Sequence, residues 1–164
     1  MSYKVSFYKQ NGYFFFVLLL SFIVSSGFMM ESDTERSDRQ KRKRIIKTAQ
    51  KYIGTKYRTG GKTPRGFDCS GFSSYVFSKN NIKLGANSSS QSLQGHPVKI
   101  KDLQPGDLIF FGSKKRINHV GIVTKQSRKE LRMIHASSSR GIIEEDITNS
   151  SYWQKRIVGG RRVI

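Results

Sequence analysis

The apolar residues of this chain change period partway along, and that change restricts the fold more than any other feature. In the first half, Ile45, Ile46, Ala49 and Ile53 recur at helical spacing, and Phe72, Tyr75, Val76 and Lys79 do so again. From Val98 onward the apolar residues come as short runs at 108–111, 120–123, 131–134 and 142–143. Gly, Lys, Ser and Arg clusters of the kind found in turns separate them. Helical segments followed by closely spaced strands predict an α+β domain, with N-terminal helices packed on a central antiparallel sheet, in place of alternating βαβ units. A length of 164 residues with 36% hydrophobic content suffices for one domain with one core.

Local signals set the expected boundaries. Ser37-Asp38-Arg39-Gln40 reads as a capping box that starts the first helix, and Gly54 as its end. Residues 28–44, almost wholly charged or polar from Glu31 onward, read as a tether leading into that helix. Tyr57, Gly60-Gly61 and Pro64-Arg65-Gly66 follow as turn punctuation. The second helix is expected to begin at Cys69 and end at Asn80-Asn81. A short third one should begin near Ser88, with Gln91 in capping-box register.

The formal net charge of +19 predicts attraction to polyanions. No zinc-finger spacing, RNA-binding aromatic pattern or heptad-bearing basic region accompanies it, so nucleic acid is not the expected partner. At the N-terminus, Lys4 and Lys9 precede an acid-free apolar run from Tyr13 to Val24, followed by Ser25, Ser26 and Gly27. This is the layout of a secretory signal cleaved after Gly27. Counted on to Met30, the run reaches 18 residues, which also permits a retained membrane anchor. With no cysteine near residue 27, lipidation is not expected. Residues 1–27 carry only Lys4 and Lys9 among the charged groups, so the basic excess belongs to the remainder. Its densest part, residues 36–44, is either a solvated helix end or a contact for anionic membrane or wall polymer.

Cys69 is the only cysteine. In an exported chain it cannot form an internal disulfide, so the thiol is either buried and inert or exposed and used. Suppose the strands holding His119 and His135 form a hairpin with its turn centred on Ser127. His119 then faces His135, Gly121 faces Met133 and Val123 faces Leu131, and the two imidazoles share one face with Cβ atoms roughly 5 Å apart. Gly121, lacking a side chain, leaves room beside them. Beside Cys69 at a helix start, this is a candidate set of nucleophile, base and orienter, with helix N-terminus and imidazolium both expected to lower the thiol pKa. The plainer alternatives are a buried cysteine, two satisfied strand histidines, and an Asp68 that is only the helix N-cap. A metal site drawn from Cys69, His96, His119 and His135 lacks the tight ligand pair of zinc sites, so no metal or cofactor is expected.

Five stretches carry a resemblance. They are Tyr57-Arg58-Thr59-Gly60-Gly61, Phe67-Asp68-Cys69-Ser70-Gly71-Phe72, Leu103-Gln104-Pro105-Gly106-Asp107-Leu108-Ile109-Phe110-Phe111, His119-Val120-Gly121-Ile122 and Ile134-His135-Ala136-Ser137. In order and spacing they resemble the NlpC/P60 cysteine peptidases of bacterial cell walls, over residues 45–164. The ending, Tyr152-Trp153 through Arg161-Arg162-Val163-Ile164, is similar to that of single-domain murein endopeptidases of Gram-negative bacteria. The serine-rich segment before Gln91 and the basic stretch near the N-terminus depart from the family pattern.

The resemblance implies a papain-like fold and hydrolysis of an amide in peptidoglycan stem peptides or cross-links through an acyl-enzyme. By the motif match Cys69 would be the nucleophile, His119 the base and His135 the third polar residue. Tyr57 would supplement the oxyanion site, and Asp68 and Ser70 would help bind the stem peptide. The expected protein is therefore an exported, monomeric cysteine endopeptidase of the envelope or periplasm. The rival expectations are a non-catalytic wall-binding protein on the same scaffold, and an acyl-transfer enzyme that uses the same thiol.

Overall fold

The computed structural model of the chain describes residues 32–113 and 116–164. The expected signal or anchor segment lies outside the described residues, as does the first part of the expected tether. Among the described residues, no helix is long and apolar enough to cross a membrane.

The first helix, α1, spans Asp33–Gln50 and so begins earlier than the capping box at Ser37 suggests. Most of the expected tether is thus helical. Charged residues sustain a helix once one face is docked, and here Ile45 and Ala49 are fully buried while Arg42 reaches across to the sheet. Arg36, Arg39, Lys43, Arg44 and Lys47 remain exposed. The helix also stops before Ile53, which is 49% exposed and contributes nothing to the apolar face.

A two-strand hairpin follows where only turns were expected, β1 at Lys62–Thr63 and β2 at Gly66–Phe67. It delivers the chain to α2, Cys69–Ser78, whose N-cap is Asp68. Helix α3, Ser88–Gln91, is capped by Asn87 and Ser90 in a reciprocal box, one residue earlier than the Ser88–Gln91 register. Gln91 is completely buried. Its Nε2 donates to the Ser70 and Gly85 carbonyls at 3.0 Å, and its Oε1 accepts from Ser73 Oγ at 2.7 Å. It therefore ties α3 to the first turn of α2.

The remaining strands are β3 (His96–Val98), β4 (Leu108–Ser113), β5 (Arg116–Gln126), β6 (Leu131–Ser137), β7 (Gly141–Asp146) and β8 (Ile157–Arg162), with a short helix α4 at Ser151–Gln154 between β7 and β8. The six strands form one antiparallel sheet in the order β3-β8-β4-β5-β6-β7. Strand β4 is apolar without alternation because both its faces are covered. Leu108 and Phe110 pack toward α1 and α2 with Phe67, Phe72, Val76 and Ile122. Ile109 and Phe111 pack on the other face with Val123, Met133, Ile147 and Trp153. Strands β3 and β8 were not expected. Gly159 and Gly160 make β8 look like a turn, yet Gly160 sits where a Cβ would come within 2.5 Å of Leu103 Cδ2, so the side-chain-free position serves packing.

Candidate active site

Cys69 opens α2, and the start of that helix is closely determined. Asp68 Oδ1 accepts from the Gly71 N–H at 2.6 Å and from Ser70 Oγ at 3.1 Å, which is the N-cap arrangement. The Asp68 N–H in turn donates to the Gly61 carbonyl at 3.0 Å. A Cβ on Gly71 would lie 2.0 Å from that same Gly61 oxygen, so only glycine lets the helix start approach the Gly60-Gly61 loop. Ser70 is only 8% exposed and its hydroxyl is engaged with Asp68, so it faces the cap more than solvent.

The two histidines do share one face of the sheet, but with a corrected register. Gly121 pairs with His135 and Val123 with Met133, two residues away from the expected alignment, and an irregularity between Val123 and Lys125 shifts the pairing by one more, so that Gln126 in place of Val123 faces Leu131. A two-residue slip preserves facing because side chains alternate with period two. His119 therefore lies diagonal to His135, with His119 Nε2 and His135 Nδ1 2.9 Å apart. Gly121 makes room differently from expectation, since a Cβ there would meet Met133 Sδ at 2.6 Å.

Two groups complete this face. Ile143 pairs with His135 on β7, which puts Glu145 on the same face one step along. Glu145 Oε2 lies 3.1 Å from His135 Nε2 and 3.0 Å from Trp153 Nε1, and Arg140 Nη2 donates to Oε1 at 2.8 Å. The Trp153 indole stacks on the His119 ring with centroids 5.3 Å apart. Sequence reasoning misses Glu145. Extending the hairpin arithmetic across the next turn, from His135 to β7, is the signal that finds it.

Cys69 comes to this face through the β5 backbone. Its Sγ is 4.0 Å from the Asn118 carbonyl oxygen, and the Val120 N–H also points at the sulfur. Sulfur thus sits beside the peptide on either side of His119, with no direct hydrogen bond to the ring. Such contacts tighten when substrate is bound. Tyr57 bridges to Phe67 on β2, and its hydroxyl titrates upward through burial and the nearby Cys69 and Asp68.

Protonation at rest differs from expectation. Burial, then the Asp68 carboxylate, pushes the Cys69 thiol up, and the backbone N–H groups of Val120, Ser70 and Cys69 only partly oppose them. Burial, then His135, lowers His119 to about 3, and burial likewise lowers His135. The expected imidazolium is therefore absent near neutral pH, and with it the charge that was to stabilise a thiolate. The resting pair is neutral thiol and neutral imidazole. Burial pushes the Glu145 carboxyl up, but hydrogen bonds from Arg140, Trp153 and His135 outweigh it and hold the group ionised.

The histidines, Tyr57, Glu145 and Arg140 line one cleft of about 580 Å3. A larger groove of about 770 Å3 between α3, β3 and β8 contains none of these groups, so volume alone does not mark the site. His96 stands on edge strand β3, across the sheet from the other histidines. Among the described residues, no cluster of three His, Cys, Asp or Glu could hold a metal ion. The arrangement is suited to acyl transfer through a thiol with general-base help.

The sequence and the fold are similar to those of known proteins. The family model described as NlpC/P60 matches residues 54–162. The chain is 37% identical over 123 residues to a gamma-DL-glutamyl hydrolase of Bacillus subtilis (strain 168), an alignment covering 73% of this chain and 29% of that protein. It therefore spans less than a third of that relative's length. With the probable endopeptidase NlpC of Escherichia coli (strain K12) it is 38% identical over 117 residues, covering 70% of this chain and 73% of that one. The crystal structure of the NlpC/p60 domain of the peptidoglycan hydrolase SagA superposes with a TM-score of 0.63 at 29% identity, covering 74% of this chain and 97% of that chain. A family model that matches two thirds of the residues, together with relatives of this identity and a matching fold, shows that the chain belongs to the NlpC/P60 family.

Proposed function

We propose that this protein is an exported peptidoglycan hydrolase that cuts an amide bond in stem peptides or cross-links through a thioester on Cys69. The observation that carries the reading is the hydrogen-bonded His119–His135 pair set beside the sulfur-bearing start of α2. The names of the relatives, an endopeptidase and a gamma-DL-glutamyl hydrolase, support the substrate class. As Cys69 Sγ bonds to the scissile carbonyl carbon, its proton passes to His119. The carbonyl oxygen takes the negative charge and is met by the Tyr57 hydroxyl and backbone N–H groups. Collapse breaks the C–N bond, and His119 returns the proton to the leaving amine. Water then attacks the thioester with His119 again as base, releasing the acid and restoring the thiol. Asp68 helps seat the stem peptide by offering its carboxylate to a free amine, and Ser70 acts through the hydrogen bond that its hydroxyl donates to that carboxylate.

The test is mass spectrometry of purified muropeptides after incubation with the protein, untreated and alkylated at Cys69. We expect new stem fragments that disappear on alkylation and persist with a chelator. Binding to sacculi without any product would overturn the reading in favour of a non-catalytic wall protein, and a transferred acyl product would point to a transferase.

Export rests on residues 1–27, and the exposed cations of α1 follow that segment in sequence. We propose that this helix face contacts anionic lipid headgroups. With the full chain, binding to phosphatidylglycerol vesicles should exceed binding to phosphatidylcholine vesicles, and the excess should vanish in high salt or when Arg36, Lys43 and Lys47 are changed to glutamate. An excess that persists through both would exclude the face.

A further inference from the structure

Across β5, β6 and β7 the side chains of His119, His135 and Glu145 form a continuous diagonal line of hydrogen-bonding groups. On the catalytic reading given above, we propose that Glu145 is a positioning residue that fixes the ring tautomers of both histidines, and so decides which nitrogen of His119 is the base. The argument follows the protons. An ionised carboxylate only accepts hydrogen bonds, so His135 must carry its proton on Nε2, the atom 3.1 Å from Glu145 Oε2. A neutral His135 protonated there has a bare lone pair on Nδ1. That atom lies 2.9 Å from His119 Nε2, which must then be the donor. His119, neutral and protonated on Nε2, is left with its lone pair on Nδ1, free to receive the proton of Cys69. Once it has done so, His119 carries a positive charge whose Nε2–H is still directed along the line toward the carboxylate.

Glu145 is itself held from two further directions. Trp153 Nε1 donates to Oε2 and Arg140 Nη2 to Oε1, so three donors converge on one carboxylate that is only 24% exposed at its side chain. The Arg140 end is 57% exposed and adds little stability as an ion pair. Its consequence is orientational, since a carboxylate pinned at both oxygens cannot rotate away from His135. The groups facing His135 are His119, Glu145, Arg140 and Trp153. Of these, only Glu145 favours its protonated form, and Glu145 does the same for His119.

Two substitutions separate positioning from mere packing. Glu145→Leu removes the acceptor, whereas Glu145→Gln keeps one acceptor oxygen for the His135 Nε2–H and loses the charge together with the second acceptor, the one that Arg140 holds. We expect Glu145→Leu to lower kcat by about 10- to 100-fold with KM little changed, and Glu145→Gln to recover most of that loss. In both, the acid limb of the kcat/KM profile should move to lower pH, because the only group that favours the imidazolium forms has gone. In the full-length 15N-labelled protein, long-range 1H–15N spectra should show His135 and His119 each as the single Nε2–H tautomer. In Glu145→Leu, His135 should become a mixture. The spectra answer the question even if no peptidase activity is found, so failure of the catalytic reading and failure of this one are distinguishable. A Glu145→Leu protein that keeps His135 as one Nε2–H tautomer overturns the proposal, as does one that keeps kcat within twofold of wild type.

Discussion

Cys69→Ala is expected to abolish muropeptide cleavage, with turnover falling about 10⁴-fold or more while the fold survives. The nucleophile cannot be replaced by a neighbour, because Cys69 is the only cysteine in the chain and Ser70 is buried with its hydroxyl donated to Asp68. Stability should change by less than about 1 kcal/mol, since alanine is a strong helix former and the thiol makes only weak hydrogen bonds, the Asn118 carbonyl lying 4.0 Å away. Steady-state assay of purified muropeptides and a thermal melt check the two halves separately. The wild-type pH profile should also reflect the neutral resting pair. Activity should hold down to moderately acidic pH, because His119 stays unprotonated until pH approaches about 3, and should rise on the alkaline side as the elevated thiol begins to ionise. A bell centred on a thiolate–imidazolium pair near neutral pH would contradict that picture.

The second large effect falls far from the sulfur. Asp107 is completely buried, and its carboxylate is shared by Arg42 Nη1 at 2.9 Å, Arg162 Nε at 3.1 Å and Nη2 at 2.8 Å, and the Gln104 N–H at 2.9 Å. One side chain thereby fastens α1, the turn before β4, and β8. Asp107→Ala would leave two guanidinium groups facing each other in a partly buried site, at a cost of about 3–5 kcal/mol. For a domain of this size that corresponds to a drop in Tm of roughly 10 °C. Asp107→Asn should lose less, because an amide oxygen still accepts from one partner. Thermal unfolding of both variants tests this, and a shift of only a degree or two in Asp107→Ala would show that the cluster is screened by water and structurally idle.

Much of the site is legible in the sequence because it depends on local rules. Asp68, three residues ahead of Gly71, reads as an N-cap, and the folded chain uses it as one. The common face of His119 and His135 survives a wrong register because an error of two residues leaves strand facing unchanged. Strand β8 is hidden for the opposite reason. Gly159-Gly160 carries a turn signal locally, and only the closeness of Leu103 shows why a strand would accept glycine there. The helical turn ahead of Ser37, residues 33–36, is likewise invisible, because it extends a helix held by docking of Arg42, Ile45 and Ala49 onto distant parts of the chain, such as Asp107, 65 positions from Arg42.

Taken alone, the order of residues determined the class of fold, the helix that presents Cys69 and the strand face shared by the two histidines, since each follows from periodicity and capping within a few residues. What only the tertiary structure decided was the chemical state of those groups. Burial beside Asp68 keeps the thiol protonated, burial beside His135 keeps His119 neutral, and β7 and α4 bring Glu145 and Trp153 onto the same line. Those are differences in solvation and in long-range juxtaposition, and neither quantity is a property of a residue's neighbours in sequence.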